Sequence, residues 1–421
     1  MSGIIAVTSD KEDVNKYLLY GLYALQHRGQ LEAGLAIMGD NLYLRSGQGQ
    51  IKDVLDQNEI FAQDGRRGMA HVKYGLYEEY EKEKISLPYY DEKSNSLIAI
   101  DGNILNEDFD FQVLIEKLNG ADEELALYIN GLKGAFSLVY MDENKLIAIR
   151  DRWGLKPLNL SNEREKIIVA SESCALDSLS ATAIREINPG EILIYEKNTL
   201  RSFYYGLPEH KTCAFEYIYI SRPDSYMMDK SIYKLRNNLG KTLYEEKPTD
   251  ADIVIGAPDS GLTAAIGYAE ASKIPYKDGI IKNRYIGRTF INPKDSQREK
   301  DVYIKLNPIR EILDGKRVIL VDDSIIKGVT IKRTVEMLKN AGAKEVHVRI
   351  SAPQVINYCN LSLDMPIGSK LIARDMDVEE IRKEIKADSL YFLSLDGLQK
   401  NLSNIGICTH CFDGKYPIKE M

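Results

Sequence analysis

At 421 residues with 44% apolar content, the chain is long enough to hold two ordinary domains with sizeable cores. A formal net charge of -8 excludes nucleic-acid binding driven by overall electrostatics, although it leaves a local basic pocket open. No apolar stretch reaches bilayer-spanning length, and Met1-Ser-Gly-Ile-Ile lacks the basic flank and long apolar run of a signal peptide, so a cytoplasmic protein with no membrane partner is expected.

The first half carries short alternating runs punctuated by turn residues: Asn41-Leu-Tyr-Leu-Arg45, Leu97-Ile-Ala-Ile100, Ala135-Phe-Ser-Leu-Val-Tyr140 and Lys145-Leu-Ile-Ala-Ile149. Such runs predict antiparallel, layered sheets. The mixed-charge run at 78–84 reads as a solvated face. Around residues 200 to 215 the pattern changes, dividing the chain into 1–205 and 206–421. Beyond it, apolar strands such as Asp252-Ile-Val-Ile255 and Val346-His-Val-Arg-Ile350 alternate with helical patterns and predict a parallel sheet. No internal repeat or low-complexity segment is present.

The most specific segment is Arg317-Val-Ile-Leu-Val-Asp-Asp-Ser-Ile-Ile-Lys-Gly-Val-Thr330. Val318 to Val321 suit a central parallel strand covered on both faces. Asp322 and Asp323 then fall at its carboxyl end, where ligands bind in open α/β sheets. Lys327, Gly328 and Thr330 lead into a helix whose apolar Ile331, Val335 and Leu338 recur at helical spacing, with a stop at Gly342. Free N–H groups at that helix start suit an anion, and the paired carboxylates suit a ribose diol or hydrated Mg²⁺. By local pattern alone, the competing and less favoured reading is an ordinary strand–turn–helix with acidic turn residues.

This segment resembles the phosphoribosyl-pyrophosphate (PRPP) loop of type I phosphoribosyltransferases, and its wording is similar to that of the amidophosphoribosyltransferase (glutamine PRPP amidotransferase) family. Gly256-Ala-Pro-Asp-Ser-Gly261, Lys282-Asn-Arg-Tyr-Ile-Gly-Arg-Thr-Phe-Ile291, Lys305-Leu-Asn-Pro308 and Val346 to Pro353 resemble further blocks of that family, in its order. The resemblance implies two domains: an N-terminal-nucleophile, class II glutaminase-like αββα domain over 1–205, then a type I phosphoribosyltransferase domain with a parallel sheet over 206–421. It implies that Asp322 and Asp323 hold the PRPP ribose or its Mg²⁺, that Ser324 to Thr330 cradle the 5'-phosphate, and that Asp259 and Ser260 lie near the pyrophosphate and metal. Lys282, Arg284 and Arg288 would belong to a segment that closes over the site, their charge facing pyrophosphate. Lys327 and Val329 depart from the usual loop wording, which has Arg and Thr at these positions.

The first half matches the same family at Leu25-Gln-His-Arg-Gly-Gln30, Asp151-Arg-Trp-Gly-Leu-Lys-Pro-Leu158, Ala170-Ser-Glu-Ser-Cys-Ala175 and Asn188-Pro-Gly-Glu-Ile192, and departs from it at three functional positions. Where the family has a cysteine after the initiator Met, this chain has Ser2, whose hydroxyl is far less acidic than a thiol. Lys73 stands in His71-Val-Lys-Tyr74 where the family's Arg grips the glutamine carboxylate through a planar fork. Asp101, in Asp101-Gly102-Asn103, replaces the amide donor of the family's Asn-Gly-Asn oxyanion hole. Losing one such donor costs roughly 3 kcal/mol, and an anion there adds repulsion. The resemblance therefore implies a degenerate glutaminase, and a transferase that takes ammonia or another amine from solution or a partner. A serine-dependent amidase acting on a different amide, and a glutaminase still working through Ser2, are the competing readings.

Cys408-Thr-His-Cys411 is a Cys-x-x-Cys pair, with Cys213 and Cys359 distant in sequence. Spacing alone favours Zn²⁺. The resemblance, to the family's iron-sulfur branch, implies instead a structural [4Fe-4S] cluster on Cys213, Cys359, Cys408 and Cys411. Cys174, outside that set, reads as a small buried residue, and His71 as structural rather than a base. The implied partners are PRPP, an amine, purine nucleotides as effectors and a second copy or more of the chain as a dimer or tetramer. The opposing functional reading is a non-catalytic paralogue that binds PRPP or nucleotides and regulates an active homologue.

Overall fold

The computed structural model describes residues 1–74, 86–283, 306–361 and 370–417. Arg284, Arg288, the 78–84 run and most of the 282–291 block lie outside the described residues.

The first half is a sandwich of two antiparallel sheets. One has the order Ile184–Glu186, Asn159–Glu163, Lys166–Ala170, Ser2–Ser9, Arg67–Lys73, Glu32–Met38, Leu42–Gln48. The other runs Thr199–Tyr204, Glu191–Glu196, Lys145–Arg150, Gly134–Met141, Ser96–Ile104, Tyr89–Asp91. Alternation along each strand assigns the faces. Ile4, Ala6 and Met69 meet Leu97, Ala99, Val139 and Met141 between the sheets. Ile5 and Val7, pointing the other way, pack beneath Leu18 and Leu22 of the helix Asn15–Ala24. Ile98 and Ile100 pack against Leu114 and Ile115 of the helix Phe111–Asn119 and against Leu125 and Ile129 of the helix Asp122–Asn130. The result is the αββα layering, and the same alternation puts Ser2, His71, Lys73 and Asp101 on the faces between the sheets.

The second half is built on four parallel strands in the order Ile253–Gly256, Arg317–Asp322, Glu345–Ile350, Ser389–Phe392. Val318 to Val321 are fully buried, as a central strand requires. The helix Val329–Asn340 follows, burying Ile331, Val335 and Leu338. Ala135 and Leu155 of the sandwich join the core of the second half, so the two halves share one apolar cluster. Downstream, Ile407–Cys408 returns to pair in parallel with Thr212–Cys213 at the junction.

Candidate active site

The strand Arg317–Asp322 delivers two carboxylates to its end. Asp322 accepts the N–H of Asp323 at 2.9 Å, and its backbone carbonyl receives the N–H of Ser351 at 2.9 Å. Burial, and then the charge of Asp323, push the Asp322 carboxyl well above the usual range. Asp323 is 5% exposed and accepts the hydroxyls of Ser260, at 2.5 Å, and Ser324. Ser260 therefore turns its hydroxyl proton onto Asp323. The turn carrying Asp259 and Ser260 presses onto the strand end, because a Cβ at Gly261 would lie 2.4 Å from the carbonyl oxygen of Val321. Lys282 forms an ion pair with Asp259 at the rim.

After Ser324 the chain turns through Gly328, whose φ of +79° favours glycine, into the helix Val329–Asn340. Lys327, Val329 and Thr330 are exposed at that turn. The structure thus gathers Asp259, Ser260, Asp322, Asp323 and the 324–330 turn around one helix start, with Lys282 at the edge.

The second site lies in the sandwich. Ser2 is buried and paired in register with Lys73 on the neighbouring strand. Asp101 is fully buried and faces two cations: Arg28 Nη2 at 3.0 Å and Lys156 Nζ at 3.4 Å. Burial pushes the Asp101 carboxyl up, and Lys156, Arg28 and the N-terminal amine more than offset it, so the carboxyl is held below its ordinary value. It is an anion where the resemblance implies an amide donor. Gly102, beside it, has φ +124° and passes so close to the next strand that a Cβ would meet the carbonyl oxygen of Ala135 at 1.9 Å.

Arg28, unnoticed in the sequence, is the centre of this region. Its fully buried guanidinium donates Nε to the carbonyl of Ser2 at 2.7 Å and Nη1 to Glu172 at 2.7 Å. It also grips Glu216 of the second half through both Nη atoms, at 3.0 and 2.9 Å. Against the lowering effect of burial, Glu216, Asp101 and Glu172 hold it firmly protonated. Glu172 further contacts His27 at 2.7 Å and accepts the hydroxyl of Ser225 at 2.7 Å. Burial, opposed by no sufficient partner, lowers the pKa of His71 to about 3, so its ring is neutral.

Cys213 and Cys408 are register partners on adjacent strands, and Cys359 and Cys411 are buried with them. Burial first, then the neighbouring thiols, raise the Cys408 and Cys411 pKa values, so the four side chains share one electrostatic neighbourhood. Among the described residues no group of three or more His, Cys, Asp or Glu is closed to metal-ligand geometry. Cys174 is buried apart from them, with its thiol pushed up by burial.

The phosphoribosyl transferase domain family matches residues 228–354, and the glutamine amidotransferase domain family matches residues 87–178. The amidophosphoribosyltransferase of Methanocaldococcus jannaschii is 39% identical, the match covering 99% of this chain and 98% of the relative. That of Bacillus subtilis is 40% identical, over 96% of this chain and 92% of the relative. The solved glutamine PRPP amidotransferase of B. subtilis, complexed with ADP and GMP, superposes with a TM-score of 0.88 at 38% identity, covering 100% of this chain and 98% of that one. The N-terminal sandwich, the parallel sheet with its paired aspartates and this near-complete coverage agree, and the chain belongs to the amidophosphoribosyltransferase family.

Proposed function

We propose that the protein is a PRPP-dependent phosphoribosyltransferase of the purine-synthesis type that makes 5-phosphoribosylamine from free ammonia, or a related product from another amine, and that its glutaminase is inactive. The observation carrying this reading is the state of Asp101: a buried carboxylate, kept ionised by Arg28 and Lys156, stands where negative charge would have to develop on a glutamine amide. Ser2 as nucleophile and Lys73 as clamp compound the loss.

Residues 1–205 form the glutaminase-like domain and 206–421 the transferase domain. At the transferase site, Asp322 and Asp323 bind the ribose hydroxyls or Mg²⁺, Ser324 to Thr330 hold the 5'-phosphate by backbone amides, and Asp259 and Ser260 face the pyrophosphate. The donor set fits Mg²⁺, since hard carboxylate and hydroxyl oxygens converge at the strand end. When bound, the metal offsets charge on the departing pyrophosphate. Lys282, now paired with Asp259, would turn to that pyrophosphate, and the family resemblance gives Arg284 and Arg288 the same electrostatic role. The amine attacks ribose C1 as the C–O bond to pyrophosphate breaks.

Cys213, Cys359, Cys408 and Cys411 are the residues that would hold a structural [4Fe-4S] cluster, with Zn²⁺ as the rival occupant. What supports the reading is proximity: Cys213 pairs in register with Cys408, and Cys359 and Cys411 lie near enough to act on the same thiols, although among the described residues no three of them reach metal-ligand geometry. Purine nucleotides as feedback ligands and assembly into a dimer or tetramer complete the reading.

The test is pyrophosphate release by anaerobically purified protein given PRPP and Mg²⁺, with ammonium, glutamine or no added amine. Release with ammonium and none with glutamine is expected. Release with glutamine overturns the inactive glutaminase, and no release together with no PRPP binding establishes the regulatory paralogue instead.

A further inference from the structure

We propose that Arg236 is a positioning residue of the transferase site: it pins the helix Ile232–Glu246 to the turn that carries Glu216, and through that helix sets where the Ser260 hydroxyl meets Asp323; this rests on the reading of that site as the one that binds PRPP. Arg236 is 4% exposed. Both of its hydrogen bonds go to backbone carbonyls rather than to a carboxylate, Nε to Tyr217 at 2.7 Å and Nη2 to Ser221 at 2.8 Å.

Those carbonyls need a donor because of how the chain turns there. Glu216–Ile220 forms a single π-helical turn, closed by the Ser221 N–H on the carbonyl of Glu216 at 3.0 Å. The next N–H, that of Arg222, would continue the turn onto Tyr217, yet it donates to Glu172 of the sandwich at 2.9 Å instead. The Tyr217 carbonyl is thus left at a helix end, and the guanidinium supplies its donor. The same turn presents Glu216 to Arg28, and Ser221 donates its hydroxyl to Glu216 at 3.1 Å, so the turn to which Arg236 fastens is itself held by the junction.

From Arg236 the connection to the site is rigid. The carbonyl oxygen of Asn237, the next residue, lies 1.8 Å from where a Cβ at Gly267 would stand, and a Cβ at Gly240 would lie 1.9 Å from the carbonyl oxygen of Ala264. The helices Ile232–Glu246 and Leu262–Ser272 therefore touch backbone to backbone at these points, with no side chain between them to absorb a shift. Ser260 stands two residues before the second helix and donates to Asp323 Oδ1 at 2.5 Å, while Gly261 is pressed against the carbonyl of Val321. A displacement of the first helix is thus carried to the donor that holds one oxygen of Asp323. Charge agrees with this geometry: burial lowers the Arg236 pKa to about 10, and among the charges that oppose the lowering Asp323 acts most strongly, ahead of Glu172 and Glu216. The guanidinium remains protonated, and the carboxylate it positions is the main offset to its burial.

The test is a calorimetric titration of the intact, anaerobically purified protein with PRPP and Mg²⁺, on wild type, Arg236→Gln, Arg236→Lys, Ser260→Ala and the doubles of Ser260→Ala with each Arg236 variant. Gln keeps an amide donor but not the fork, so Arg236→Gln should weaken PRPP binding about tenfold, a fraction of the loss that a misplacement of roughly 1 Å can cause. Arg236→Lys, which retains the charge and a donor, should recover part of that loss. Without the Ser260 hydroxyl, either Arg236 change should cost less than about twofold, since the link through which Arg236 acts is gone. An unchanged affinity in Arg236→Gln overturns the proposal, and so does the same fold-loss with and without the Ser260 hydroxyl, which is what a merely structural role would give. If Arg236→Gln fails to fold, the cycle with Arg236→Lys decides on the same criteria. A wild type that binds no PRPP removes the transferase reading and the positioning role with it, whereas binding by wild type together with additive losses removes the positioning role alone.

Discussion

Arg28 and Glu216 meet in a two-point ion pair, both fully buried, that joins the sandwich to the second half of the chain. The same guanidinium holds the carbonyl of Ser2, so the strand that opens the sandwich is anchored to the other half through one side chain.

Breaking one partner of a buried pair strands the other charge, at a cost of roughly 3–5 kcal/mol. Glu216→Gln should lower the unfolding free energy by that amount, with urea unfolding as the measurement. A change under about 1 kcal/mol would mean that Asp101 and Glu172 alone compensate Arg28.

Replacing Ser2 by cysteine should not by itself restore glutamate release from glutamine, because Asp101 still repels the developing oxyanion. Adding Asp101→Asn and Lys73→Arg to Ser2→Cys should bring release up by at least about 100-fold, the weight of one oxyanion donor. Strong release from Ser2→Cys alone would show that Asp101 does not block the centre.

His71 also sets a pH dependence. Its folded pKa of about 3 lies below the usual histidine value of 6.5, so between these limits the unfolded chain binds the extra proton and the native state does not. Stability attributable to His71 is therefore complete above pH 6.5 and declines as pH falls towards 3, at about 1.4 kcal/mol per unit. Asp151, its pKa raised to about 6 by burial, works in the opposite direction over the same range. The difference between wild type and His71→Asn isolates the histidine: the variant should lose less stability than wild type between pH 6.5 and 5. Equal losses in denaturation at the two pH values would contradict this.

Gly328→Ala places a side chain at φ +79° and 2.6 Å from Ile372 Cδ1. A stability loss of about 1 kcal/mol is expected from the backbone strain. The larger effect should be on PRPP affinity, weakened by an order of magnitude as the turn ahead of the helix is redrawn, and titration with PRPP and Mg²⁺ reads it directly.

Much of the site at the end of the parallel strand could be read locally. The run Val318 to Val321, the carboxylates after it and the helical spacing of Ile331, Val335 and Leu338 are all determined within a few residues, and the strand Arg317–Asp322 and helix Val329–Asn340 follow that pattern. The sandwich strands were legible for the same reason, through alternation. Arg28 was not, because its burial is decided by Asp101, Glu172 and Glu216, which are remote in sequence and brought together only by the packing of two sheets and a junction. Its trace in the sequence was faint: Glu172 and Glu216 sit among small or apolar neighbours, in Ala170 to Ala175 and Cys213 to Tyr217, where a solvated carboxylate has little reason to be. Lys156 was read as part of a block, and its role against Asp101 emerges only from the opposed geometry.

The pairing of Thr212–Cys213 with Ile407–Cys408 has a temporal meaning as well. During synthesis the sandwich strands and Glu216 emerge long before the segment that completes the junction, so Arg28 can find all its carboxylates while Cys213 still waits for Cys408 and Cys411. The charged anchor is thus available to assemble first and the thiol neighbourhood last.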